Sequence, residues 1–214
     1  MEKREFKSKK RYLVAFLIGT FVFLLVFFLS YLLSYFEFQR ISNLQIESTY
    51  DIFEDKLDYS FFNQGTCSTD SFEKVSQDLR FQGKIIDDLE RKLGKKDKTV
   101  LSRKKFYTLV ELEHLEFINM LNSNCNSNIQ TILFFYSNDD EDLEKSEEIG
   151  KILNSVFKEN SNLIVYSFDL NLDFELIEKL KQKYKIEESP SIIINKENLI
   201  FEPKNIEEIE KYLN

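Results

Sequence analysis

Only two cysteines, Cys67 and Cys125, and one histidine, His114, occur in 214 residues. Two thiols without companion His or Cys cannot close a zinc site. No Asn-x-Ser/Thr acceptor is present, so N-glycosylation plays no part. Beyond residue 36, 23 Lys/Arg are outnumbered by 35 Asp/Glu. Removing the N-terminal tail's +4 from the chain's −8 leaves −12 on residues 37–214. A nucleic-acid partner would need clustered Lys/Arg to neutralise phosphates, so this class of partner is excluded. Tyr12 to Phe36 carry no charge and no histidine over 25 residues, which argues against an intramembrane proton relay or transport path. At about 1.5 Å per residue this run spans roughly 37 Å as a helix, more than the ~30 Å hydrocarbon core requires. It reads as a lipid-embedded anchor.

Six basic residues (Lys3, Arg4, Lys7, Lys9, Lys10 and Arg11) precede the run, and Glu37 and Arg40 follow it. The positive-inside bias places residues 1–11 in the cytoplasm and residues 37–214 outside. A cleaved signal peptide is the rival reading. Its apolar region is typically about 7 to 15 residues, followed by small residues, whereas this run is longer and ends in Ser34-Tyr35-Phe36-Glu37.

Residues 37–62 continue as a helical stalk, and two longer patterns follow. Phe72, Val75, Leu79, Ile86, Leu89 and Leu93 recur at three and four over 70–93, broken only by Gln82, with Ser68 to Asp70 as caps and Gly94 after the end. Residues 99–121 carry a second apolar face through Val100, Tyr107, Val110, Phe117 and Leu121. Two such helices around a short loop fold back as an antiparallel hairpin. Cys67 and Cys125 lie equally far, 29 residues, on either side of Lys96, so the hairpin brings them to one open end, where a disulfide would staple its base. Two unpaired buried thiols are the alternative. His114 falls on the apolar stripe and reads as a packed helix residue, because no neighbouring side chain offers it a catalytic partnership.

Beyond the polar run 122–128, read as a linker, the period changes. Thr131–Ser137 and Leu163–Asp169 are continuous apolar runs suited to strands buried on both faces. Helices are expected over 142–158, around 174–184 and over 205–213, and two further strands over 191–195 and 199–202 with a turn at 196–198. The order is βαβαββα, a mixed four-stranded sheet covered by helices. The domain plan is therefore 1–11 tail, 12–36 span, 37–128 stalk and hairpin, 129–214 α/β domain.

The segment Tyr184-Lys185-Ile186-Glu187-Glu188-Ser189-Pro190-Ser191-Ile192-Ile193-Ile194-Asn195-Lys196 resembles the thioredoxin family, where a proline opens an apolar strand after the second helix. The resemblance covers about the last 84 residues and implies a thioredoxin-like fold with a cis Ser189–Pro190 bond; a trans proline starting a strand is the alternative. It departs from the family at Ser189, where an apolar residue is usual, at Glu197-Asn198, where Asn-Gly is usual, and decisively at the end of the first strand. Where a Cys-x-x-Cys pair would sit, this chain has Ser137, Asn138, Asp139, Asp140, Glu141 and Asp142. Carboxylates cap a helix N-terminus favourably but cannot exchange disulfides. As a calcium site the stretch lacks the alternating spacing and glycine of a Ca loop, so a solvated capping cluster is expected, with no metal and no cofactor.

Three functions fit. The leading one is a single-pass, membrane-anchored, non-enzymatic module that binds protein or peptide partners outside the membrane, the resemblance implying a groove beside Ser189 and Pro190. The second is a thiol-disulfide oxidoreductase using Cys67 and Cys125. The third is a bitopic scaffold whose working parts are the anchor and coiled helices.

Overall fold

The computed structural model describes residues 7–61 and 70–213. The chain forms two compact units, Met1–Leu44 and Gln45–Asn214. In the first, helix α1 (Lys7–Phe61) begins, and its segment Lys9–Arg40 contains an 18-residue window of mean hydropathy 2.8 with no buried residues. It is the one helix among the described residues long and apolar enough to cross a membrane; a signal sequence near the N-terminus meets the same criterion.

The second unit contains α2 (Asp70–Leu93), α3 (Lys98–Cys125), β1 (Gln130–Tyr136), α4 (Leu143–Glu159), β2 (Leu163–Asp169), α5 (Glu175–Tyr184), β3 (Ser191–Ile194), β4 (Asn198–Phe201) and α6 (Ile206–Glu210). The sheet order is β2-β1-β3-β4, with β1 parallel to β2 and antiparallel to β3, and β3 antiparallel to β4. Period-two alternation sends Leu133, Phe135, Tyr166, Phe168 and Ile193 to one face, shared with α3 and α5. It sends Ile132, Phe134, Leu163, Ile192 and Ile194 to the other, under α4 and α6. Helices on both faces explain why these strands are apolar throughout rather than alternating. Each side chain of this size, fully buried, contributes about 1.5–3 kcal/mol.

Local chemistry sets the boundaries. Asp97 caps α3 by accepting from Thr99 N at 2.8 Å, and Gly94 (φ 93°) closes α2 in the left-handed region that favours glycine. The polar run 122–128 is no loose tether. The Asn122 side chain donates to Ile129 O at 2.7 Å and accepts from Ile129 N at 3.0 Å, delivering the chain directly into β1. The β3–β4 turn sits one residue earlier than the sequence suggests, at Asn195-Lys196-Glu197, because Asn195 and Lys196 take φ of 49° and 67°. Positive φ matches the twist of a hairpin, and asparagine tolerates it.

The hairpin and the sheet do not pack as separate bodies. Leu79 of α2 and Val110, Phe117, Ile118 and Leu121 of α3 belong to the same core cluster as the strands. The expected division at 128/129 marks a change of element type, while the packing division falls between Leu44 and Gln45.

Candidate functional site

Three polar residues of α3 (Lys104, Glu111 and His114) lie on one helical face at spacings of seven and three, and all are buried. Each meets β2, the edge strand of the sheet. Lys104 Nζ donates to Asp169 Oδ2 at 2.6 Å, Glu111 Oε1 accepts from Ser167 N at 2.8 Å, and His114 Nδ1 pairs with Tyr166 Oη at 3.0 Å. Ascending numbers on α3 match descending numbers on β2, so the two run in opposite directions. Glu111 thus satisfies an edge N–H that would otherwise invite another strand.

The same face joins α2. Lys104 Nζ forms an ion pair with Glu90, Ser76 Oγ lies 3.4 Å from His114 Nε2, and Tyr107 Oη donates to Leu79 O at 3.1 Å. Burial suppresses charge here. It lowers the His114 pKa from 6.5 to about 4, with Arg80 adding to the effect. It raises Glu111 well above 4.5, opposed by the Ser167 hydrogen bond, and leaves Glu111 Oε2 without a hydrogen-bond partner. The Tyr136 hydroxyl is raised well above 10, first by burial and then by Asp169.

Between α2, α3 and α4 lies a cleft of about 770 Å³, open to solvent. Lys104, Glu90, Asp169 and Tyr136 form its polar floor, and Phe134 and Gly150 contribute to its wall. Lys104 Nζ stands 5.2 Å from the Tyr136 ring centroid. The Lys104, Glu90 and Asp169 side chains are only 5%, 10% and 3% exposed, so the ion triad sits in a low-dielectric setting. Among the described residues, no group of three or more His, Cys, Asp or Glu is arranged to hold a metal ion.

The turn after β1 contains no thiol and is tied to the end of β2. Asn138 Nδ2 donates to Asp169 Oδ2 at 2.7 Å, Asn138 N donates to Asn171 Oδ1 at 2.6 Å, and Asn171 Nδ2 donates to Asp139 Oδ2 at 2.7 Å. The expected carboxylate cap is built differently. Asp142 holds the N-cap position without a side-chain hydrogen bond, and the Asp139 carbonyl accepts from Asp142 N and Leu143 N instead. Asp139, Asp140 and Glu141 are exposed.

Ser189–Pro190 is cis, and Pro190 is buried with its carbonyl accepting from Glu202 N at 3.3 Å. Neither residue lines the cleft. Cys125, the last residue of α3, is disulfide-bonded and half-buried against the core. Cys67 lies outside the described residues. From the sequence, His114 stands out only as a packed helix residue, which its burial matches, and Lys104, Glu90, Glu111 and Asp169 are not singled out. The available signal was Lys104, Glu111 and His114 recurring on one stripe of an otherwise apolar helix. No protein-family model, curated protein or solved structure matches the chain.

Proposed function

We propose that the chain is a membrane-anchored, extracytoplasmic thioredoxin-like protein that lacks thiol chemistry at the family's usual position and acts as a protein-binding or assembly module. The observation that carries this reading is the β1–α4 turn. It has the place of a catalytic dithiol, holds none, and is bound instead by Asn138 and Asp139 to Asp169 and Asn171. Strand order β2-β1-β3-β4 and the Pro190 turn before β3 support the thioredoxin-like assignment.

The residues 12–36 helix supplies the anchor, with the basic tail inside and the acidic unit outside. The cleft is favoured over the Ser189–Pro190 groove as the binding surface, because the Pro190 carbonyl is already taken by Glu202. Cys125 argues against the oxidoreductase reading. It ends a helix, and a C-terminal dipole disfavours a thiolate. Full-length protein assayed for insulin disulfide reduction should show no turnover. Turnover that disappears in Cys125→Ser overturns the proposal in favour of an exchange enzyme.

A further inference from the structure

We infer that the cleft receives one positively charged side chain, a lysine or arginine carried by a partner polypeptide. The inference rests on the reading of the chain as a binding module and names what that module holds.

The floor places one ammonium between two carboxylates. Asp169 is satisfied: it accepts from Lys104 Nζ at 2.6 Å, Asn138 Nδ2 at 2.7 Å and Asn171 N at 2.9 Å. The Glu90 carboxylate, 10% exposed, has Lys104 as its single partner among the described residues. One lysine neutralises one carboxylate, so the buried triad keeps a net charge of −1 and spare acceptor capacity at Glu90. In a weakly screening interior that excess charge favours a second cation, while Arg91, also lining the cleft, is exposed and paired with Asp87 and Asp88.

The walls suit the alkyl stem of such a residue. Tyr136, Tyr107 and Phe134 line the cleft, and aromatic faces attract ammonium and guanidinium groups while covering their methylenes. The volume of about 770 Å³ lies within the roughly 300–1,000 Å³ of ligand pockets. Lys95 in the hairpin loop and Glu147 of α4, both lining the cleft, meet at 3.4 Å with side chains 32% and 58% exposed, a pair weak enough to open. Lys84 and Lys151 stand exposed at the rim, where water and salt screen them. The −12 carried by residues 37–214 draws a basic segment toward this unit.

The test uses full-length protein in detergent micelles and calorimetric titration with an end-blocked pentapeptide bearing one central arginine. Its citrulline counterpart has the same shape without the charge. The arginine peptide should bind at least ten-fold tighter than the citrulline peptide, and Glu90→Gln should weaken it at least ten-fold. Equal binding of the two peptides, or unchanged affinity in Glu90→Gln, overturns the inference. Should Glu90→Gln fail to fold by circular dichroism, Gly150→Leu decides: it leaves the triad intact and narrows the cleft, and unchanged affinity there also overturns the inference. Spermidine binding where the peptide does not bind overturns the assignment to a polypeptide. Photo-crosslinking to proteins from Asn154 in native membranes reads the module itself. Crosslinks that persist without arginine-peptide binding sink the inference and leave the module standing.

Discussion

Two helical glycines show how far one atom's surroundings decide a substitution. A Cβ on Gly150 of α4 meets only Phe134 Cε1, at 4.0 Å, whereas one on Gly83 of α2 lands 2.9 Å from the Tyr107 hydroxyl. Gly150→Ala should raise stability by about 0.5–1 kcal/mol through restricted unfolded-chain freedom. Gly83→Ala should instead destabilise by about 1–2 kcal/mol, since it displaces Tyr107 from the Leu79 carbonyl. Urea denaturation of both variants checks the opposite signs. His114 gives a pH signature. Its pKa falls from 6.5 to about 4 on folding, so the unfolded chain binds the extra proton between these values. Its contribution is complete above about pH 6.5 and is lost as pH falls toward 4, a difference of about 3 kcal/mol. Glu111 acts in the reverse sense: its raised pKa favours folding at low pH, and that advantage is lost as pH rises above 4.5. Midpoints measured from pH 4 to 8 should therefore lose the acid-side decline in His114→Phe, and an unchanged decline would assign it elsewhere.

At the scale of elements, the α2–α3 hairpin is bound to the sheet edge by a buried ion triad as well as by apolar contact. Removing Lys104 strands Glu90 and Asp169 without their cation, so Lys104→Ala should cost about 3–5 kcal/mol. Lys145→Ala, which removes an exposed pair with Glu202, should leave the melting midpoint nearly unchanged. Comparable effects from both variants in thermal melts would deny the triad its structural role. Hairpin closure also bears on Cys125. Native protein should resist alkylation until reduced and then expose two thiols by mass, and a Cys67–Cys125 loop would contribute about 4 kcal/mol by chain entropy. Two thiols alkylated before reduction would defeat the staple.

For the molecule as a whole, the proposed orientation predicts a simple partition. Protease added to intact cells should digest the acidic residues 37–214 and spare the basic tail. A protected C-terminal unit would reverse the topology and place the cleft in the cytoplasm. A mature chain beginning after residue 36 would mark the apolar helix as a cleaved signal sequence.

The sequence by itself determined the element order, because period-two and period-3.6 apolar patterns are local consequences of which faces each segment buries. Ile132 and Phe134 already read as part of a strand covered on both faces, Ile192 and Ile194 as part of a further strand, and Tyr12–Phe36 as a helix with no polar side to hide. Gly94 marked the end of the first hairpin helix for the same reason, since caps are short-range chemistry, whereas the Asp97 cap of α3 emerged only in the structure. The cleft was not legible in this way. Lys104 and Asp169 stand 65 residues apart, and nothing in either neighbourhood distinguishes a buried partner from a solvated charge. Only the docking of α3 against β2 removes water from both, leaves Glu90 with a shared cation, and turns ordinary surface residue types into the chemistry of a site.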